Sequence, residues 1–154
     1  MLARRDAEPQ SNVHLCVSAS LRADLSAFLA REASLPFVWG VHDCATFIAD
    51  WYVAATGAPD PIAEYRGTYA DEAQCLARWG RGYVLRMATR VIARLGLPRT
   101  IAPVEGDIGL VALREGMDRT VCCAIRTRGW VMRGETGLTR LPVKDALSAW
   151  RITA

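Results

Sequence analysis

The hydrophobic period of this chain changes once, at Pro103, and that change limits the folds open to it. Before Pro103, apolar residues recur three and four apart. After it, they fall in short runs broken by Gly, Asp and Arg turns. In the first half, Ser20 is placed to cap a helix carrying Leu21, Leu25, Phe28 and Leu29 and ending before Pro36. A second helix is expected from near Asp43, whose carboxylate can cap free amides, to about Ala55, ahead of Gly57 and Pro59. Phe47, Ile48, Trp51 and Tyr52 form its apolar stripe, and Cys44 shares it. A loop from Asp60 to Tyr69 holds Tyr-Arg-Gly-Thr-Tyr. Helical spacing returns over Asp71 to Trp79 and Tyr83 to Leu95, interrupted at Gly80 and Gly82. Beyond Pro103, strands are predicted at Ile108 to Leu113, Thr120 to Thr127, Trp130 to Arg133, Leu138 to Leu141 and Trp150 to Ile152, with one helical turn over Val143 to Ala149. Helices first and an antiparallel sheet second is an α+β arrangement. The expected organisation is an N-terminal arm over residues 1–19 and a single domain over 20–154.

Composition narrows the function classes. A chain of 154 residues can bury a core without staples. Its 19 basic residues are dispersed and the formal charge is only +3, which argues against a dedicated nucleic-acid patch. No run approaches the roughly 20 apolar residues needed to cross a bilayer, so no membrane span is expected. The chain is expected to be made in the cytoplasm, and to stay there or be carried in a particle assembled there. Five cysteines, two of them adjacent at Cys122 and Cys123, do not make a disulfide framework. Paired metal-ligand spacings are missing and the only histidines are His14 and His42, so neither a metal nor another cofactor is expected.

The residue types that carry chemistry gather at Phe37 to Trp51. A cysteine in the first turn of a helix meets unpaired amides and the positive end of the dipole, which favour the thiolate. Cys44 is therefore the candidate nucleophile, although an unpaired cysteine on an apolar stripe is also ordinary core. A nearby imidazole would complete the pair. His42, two residues earlier in an extended segment, projects to the same side and is the candidate base; its plainer role is to fix the loop by local hydrogen bonds. His14 lies in the N-terminal arm. Trp39 would line a cleft beside Cys44, and Arg66 would meet a substrate carboxylate or simply be solvated. Asp43 reads as a cap, Asp107 as shaping the turn before a strand, and Glu135 as a hairpin tip.

Trp39-Gly40-Val41-His42-Asp43-Cys44, followed by an aromatic-rich helix, resembles the Cys-bearing segment of NlpC-type papain-like cysteine peptidases. Gly106-Asp107-Ile108-Gly109-Leu110-Val111 looks like the Gly-Asp-Leu-Val element that opens their small sheet. More specifically, the chain resembles a family of short phage and prophage proteins related to those peptidases. They carry Trp-Gly-x-His-Asp-Cys, Tyr-Arg-Gly, Gly-Asp-(Val/Ile) and a Leu-x-x-Trp-Arg-(Val/Ile) tail, here Leu147 to Ile152. The resemblance spans about Leu21 to Ile152. It implies a papain-like, NlpC-type fold with N-terminal helices, a Cys-bearing helix and a small C-terminal antiparallel sheet. In active members the base is a histidine in His-Val-Gly-Ile; the corresponding stretch is Cys122-Cys123-Ala124-Ile125, and no histidine follows His42. The implied function is a structural part of a phage tail tip or baseplate, carried in the virion tail against hub and distal tail proteins, with degenerate catalysis. The alternative is an active cysteine peptidase or amidase that cuts the peptides of bacterial peptidoglycan.

Overall fold

Strand alternation places two sets of apolar side chains on opposite faces of one sheet, and the helices cover the first set. The computed structural model describes residues 11–153, without the side chains of 11–18 and Glu115; most of the expected arm lies outside the described residues. Among these residues four helices, α1 (Ser11–Glu32), α2 (Cys44–Thr56), α3 (Glu72–Trp79) and α4 (Tyr83–Leu95), precede five strands. The strands are β1 (Ile108–Glu115), β2 (Asp118–Arg126), β3 (Trp130–Gly134), β4 (Gly137–Leu141) and β5 (Ser148–Trp150). The sheet is antiparallel throughout, in the order β4-β3-β2-β1-β5. The α+β class is therefore as read from the change of period.

Register decides which residues meet the helices. Ile108 pairs with Ile125 and Leu110 with Cys123, and all four join the core beneath α2. There Phe28 of α1 packs against Phe47 and Trp51 of α2, with ring centroids 5.7 and 5.4 Å away. The alternate residues Val111, Cys122 and Ala124 face the other way, into a smaller cluster with Trp130, Leu141 and Ala149. A one-residue slip would exchange the two sets.

Two expectations are corrected. The first helix begins at Ser11, not at Ser20; no Pro or Gly interrupts residues 11–20, so Ser20 is interior to the helix. The segment 143–149 holds no helical turn. The Leu147 amide donates to the Leu110 carbonyl (2.8 Å), and the Lys144 carbonyl accepts from the Trp130 indole (3.2 Å). Val143 and Ala146 meanwhile pack on the second cluster. The backbone groups a helix needs are thus committed to the sheet and its covering, and β5 starts at Ser148. No described helix is long and apolar enough to cross a membrane.

The first face also holds an ion pair that the sequence did not announce. Arg133, wholly buried on β3, donates to the Glu32 carboxylate (2.8 Å) and to the carbonyls of Glu32 (2.6 Å) and Leu35 (2.8 Å). Its guanidinium lies 5.7 Å from the Phe47 ring centre. A cation thus adds donors to the last carbonyl of α1, which also accepts the Leu35 amide (3.2 Å), and to that of Leu35 just beyond it, tying this end to the sheet.

Close packing makes Gly109 a sensitive position. A Cβ there would sit 2.6 Å from Cη2 of Trp130, a ring that is itself fully buried. Gly109→Ala is expected to cost about 1–3 kcal/mol by overpacking, measured by urea unfolding. Gly129→Ala is the control. Its Cβ would meet only the flexible Arg140 side chain, at 3.6 Å or more, and it should change stability by less than about 0.5 kcal/mol. Equal stability of the two variants would contradict this packing.

Candidate functional site

The loop before α2 closes on itself before it reaches Cys44. The Val38 amide donates to the His42 carbonyl (3.1 Å) and the His42 amide to the Val38 carbonyl (2.7 Å). Gly40 makes the turn at φ +72°, and a Cβ there would meet the Tyr69 carbonyl at 2.7 Å. The Gly67 amide donates to the Gly40 carbonyl at 3.0 Å. The Tyr-Arg-Gly-Thr-Tyr loop therefore lies directly against the Trp-Gly turn, and a side chain at position 40 would push the two apart.

Asp43 then starts the helix. Its carboxylate, buried to 3% exposure, accepts the amides of Ala45 (3.0 Å) and Thr46 (2.9 Å) on Oδ1. On Oδ2 it accepts the Gly40 amide (2.8 Å) and the Tyr69 hydroxyl (2.6 Å). The Asp43 amide donates to Thr46 Oγ1 at 2.8 Å, completing a capping box. Burial, followed by the Asp43 charge, pushes the Tyr69 phenol far above its ordinary range, so it stays a donor.

Cys44 is the first residue of α2 and is half-buried. Its thiol meets that of Cys123, which rises from β2 on the helix-facing side of the sheet and is wholly buried. The Cys123 S–H donates to the Cys44 sulfur. That bond, helped by backbone donors, holds the Cys44 thiol below its usual value against burial and the neighbouring Asp43 charge. The same bond, then burial, raises Cys123 well above its own usual value. Cys75, buried on α3, is raised by burial despite a hydrogen bond with Tyr83. Cys122 faces the opposite cluster.

The other predicted site residues are placed differently. The buried Nδ1 of His42 has no hydrogen-bond partner among the described residues, so that nitrogen makes no bond to Cys44. Arg66 is held by Asp50 (2.6 Å) and Asp60, and its charge is committed to those carboxylates. Trp39 stands edge-on to Phe37 (5.3 Å) and to Tyr69 (6.4 Å). It begins an aromatic chain that runs through Tyr69 and Trp79 to Tyr83. Tyr69, Trp79, Tyr83, Tyr52 and Cys123 help to line an apolar cavity of about 100 Å³ between the helices and the sheet.

Asp107 does shape the turn before β1, accepting the Val104 amide at 2.8 Å, and Arg151 of the tail reaches its Oδ2 at 3.3 Å. Glu135 lies in the β3–β4 turn, between the paired Gly134 and Gly137. Among the described residues no cluster of three or more His, Cys, Asp or Glu side chains could hold a metal ion. Cys123 is the candidate site residue that sequence reasoning left unassigned. Counting alternately back from the core residue Ile125 puts Cys123, not Cys122, on the helix side.

Two measurements follow. The pH midpoint of Cys44 alkylation by iodoacetamide should lie below the free-thiol value of about 8.5, and Cys123→Ala should move it upward. Coincident profiles for wild type and variant would contradict the sulfur contact. Tyr69→Phe removes one donor from a buried carboxylate and should cost about 1.5–3 kcal/mol in urea unfolding; an unchanged midpoint would show that this hydroxyl is not needed there.

Comparison with curated proteins and with solved structures found no match. A family model described as Domain of unknown function (DUF6950) matches residues 18–152, which takes in all four helices' described side chains, the Cys44 loop and the whole sheet. The chain belongs to the DUF6950 family.

Proposed function

We propose that this domain is a papain-like, NlpC-type fold whose catalysis has degenerated, and that it serves as a structural component of the tail tip or baseplate of a phage or phage-like particle. The observation that carries the non-hydrolytic part is the partner of Cys44. In the peptidases that the chain resembles, a strand histidine serves the nucleophile; here the strand residue against Cys44 is Cys123. A thiol whose proton is held ever more tightly cannot take a proton from Cys44 and return it to a leaving amine, which is the work of a general base. Losing that base commonly costs about 10² to 10⁴ in rate.

The tail placement is supported by the resemblance of the four motifs, in order, to phage and prophage proteins. Hub, distal tail or baseplate proteins are the proposed partners. The exposed apolar side chains Ile101, Val104 and Met117 suit such contacts better than open solvent. A second reading, an active peptidase or amidase on peptidoglycan peptides with His42 as base, draws on the favoured Cys44 thiolate at the head of a capped helix.

Digestion of purified peptidoglycan separates the two. The protein and its Cys44→Ala variant are expected to release the same background of soluble peptides. Release that depends on Cys44 would establish the hydrolase and end the structural-only reading. For placement, antibody detection in purified particles should find the protein in the tail fraction; its confinement to the soluble lysate would overturn that part.

A further inference from the structure

Two thiols in contact from separate elements can do what neither does alone. Cys44 opens α2, Cys123 lies in the middle of β2, and the fold packs Cys44 against the buried cluster that holds Cys123, with the two thiols hydrogen-bonded. The flanking loop is open to solvent at Val38 and Val41, 42% and 44% exposed, and Cys44 itself is half-buried. Cys123 is fully buried and lines the adjoining apolar cavity. The two are therefore unequal: Cys44 is partly open to solvent and Cys123 is not.

We propose that Cys44 and Cys123 form a reversible thiol–disulfide site, with Cys44 attacked first by hydrogen peroxide or a small organic hydroperoxide and Cys123 resolving it. The inference rests on the contact between the sulfurs and stands whether or not the protein occupies a tail. In the first step the Cys44 thiolate attacks one peroxide oxygen. An S–O bond forms, the O–O bond breaks, and hydroxide (from hydrogen peroxide) or alkoxide (from an organic hydroperoxide) leaves and takes up the proton that Cys44 has released, giving one water or one alcohol and a sulfenic acid. In the second step the Cys123 sulfur attacks the Cys44 sulfur. The S–S bond forms, the S–O bond breaks, and the departing hydroxide takes the Cys123 proton as water. Two thiols are oxidised by two electrons and one hydroperoxide is reduced. An external dithiol reverses the bond by exchange.

The positions around the pair favour this route over its competitors. The helix N-terminus supports the attacking thiolate, as it does for reactive cysteines generally. The resolving sulfur is already in contact, so the sulfenic acid need not persist long enough to be oxidised further. Cys122, on the far face of the sheet, cannot reach Cys44 without disrupting β2. Cys75 is the competitor that remains; its thiol is tied to Tyr83. The closed bond would join α2 to β2 beneath the Asp43 cap.

The test is made on the reduced full-length protein. It is exposed to hydrogen peroxide, its remaining thiols are blocked with N-ethylmaleimide in denaturant, and peptides are mapped by mass spectrometry without reduction. The expected product is a Cys44 peptide linked to a Cys123 peptide, two hydrogens lighter than the reduced pair and separated again by dithiothreitol. In Cys123→Ser, dimedone should instead label Cys44 as a persisting sulfenic acid. Wild-type protein in which both thiols remain open to N-ethylmaleimide after peroxide would overturn the proposal. Linkage of Cys44 to Cys75, or direct passage of Cys44 to sulfinic acid, would do the same. The wild-type map stands without any variant. Neither peptidoglycan digestion nor particle fractionation reads this bond, so its failure is separable from theirs.

Discussion

A buried carboxylate must find donors, and the donors that Asp43 finds hold the functional end of the molecule together. Two come from the first turn of α2, one from the Gly40 turn and one from Tyr69 in the following loop. One side chain therefore sets the start of the helix, the path of the loop entering it and the position of a segment more than twenty residues away. The close approach of Gly40 to the Tyr69 carbonyl follows from the same convergence.

The opposite end of α2 is tied by the same logic. The Trp51 indole donates to the Gly106 carbonyl at 2.7 Å, so the helix grips the turn that opens the sheet. In that turn Asp107, 1% exposed, takes the Val104 amide and meets Arg151 from the tail. Glu32 and Arg133 form a third buried junction, between α1 and β3. Such an ion pair is weak evidence of stability in itself, but removing one partner strands a buried charge, at a cost of about 3–5 kcal/mol. The four sequence motifs are thus two structural pairs: the Cys44 loop with Tyr-Arg-Gly-Thr-Tyr, and Gly-Asp with the Trp-Arg tail. Trp51 joins one pair to the other.

Much of this was legible in the sequence because it depends on local rules. The α2 start at Asp43, the bounds of α4 at Tyr83 and Leu95 and the order of five strands follow from caps, glycines and period. The extension of α1 back to Ser11 was missed because Ser20 has the chemistry of a cap, though no Pro or Gly between Ser11 and Ser20 stops a helix. The segment 143–149 was misread because its small apolar residues suit a helical turn as well as the cover of a sheet. Arg133 could not be recognised as buried, since its partners Glu32 and Leu35 lie about a hundred residues away in the chain. The site was half legible. Cys44 was found from its helix start, whereas its partner required knowing which face of β2 meets the helices.

That partner changes the meaning of the helix-start cysteine. A thiolate favoured by an S–H donor is stabilised without gaining a group that can shuttle protons, so nucleophilic character and hydrolytic competence come apart. The account's central claim is that Cys44 answers to Cys123 and not to His42. The pH profile of Cys44 alkylation in His42→Gln tests this most directly, because a thiolate held by an imidazolium loses that support when the ring is removed. The profile is expected to coincide with that of the wild type. A profile displaced to higher pH by loss of the ring would reveal a thiolate–imidazolium pair and contradict it.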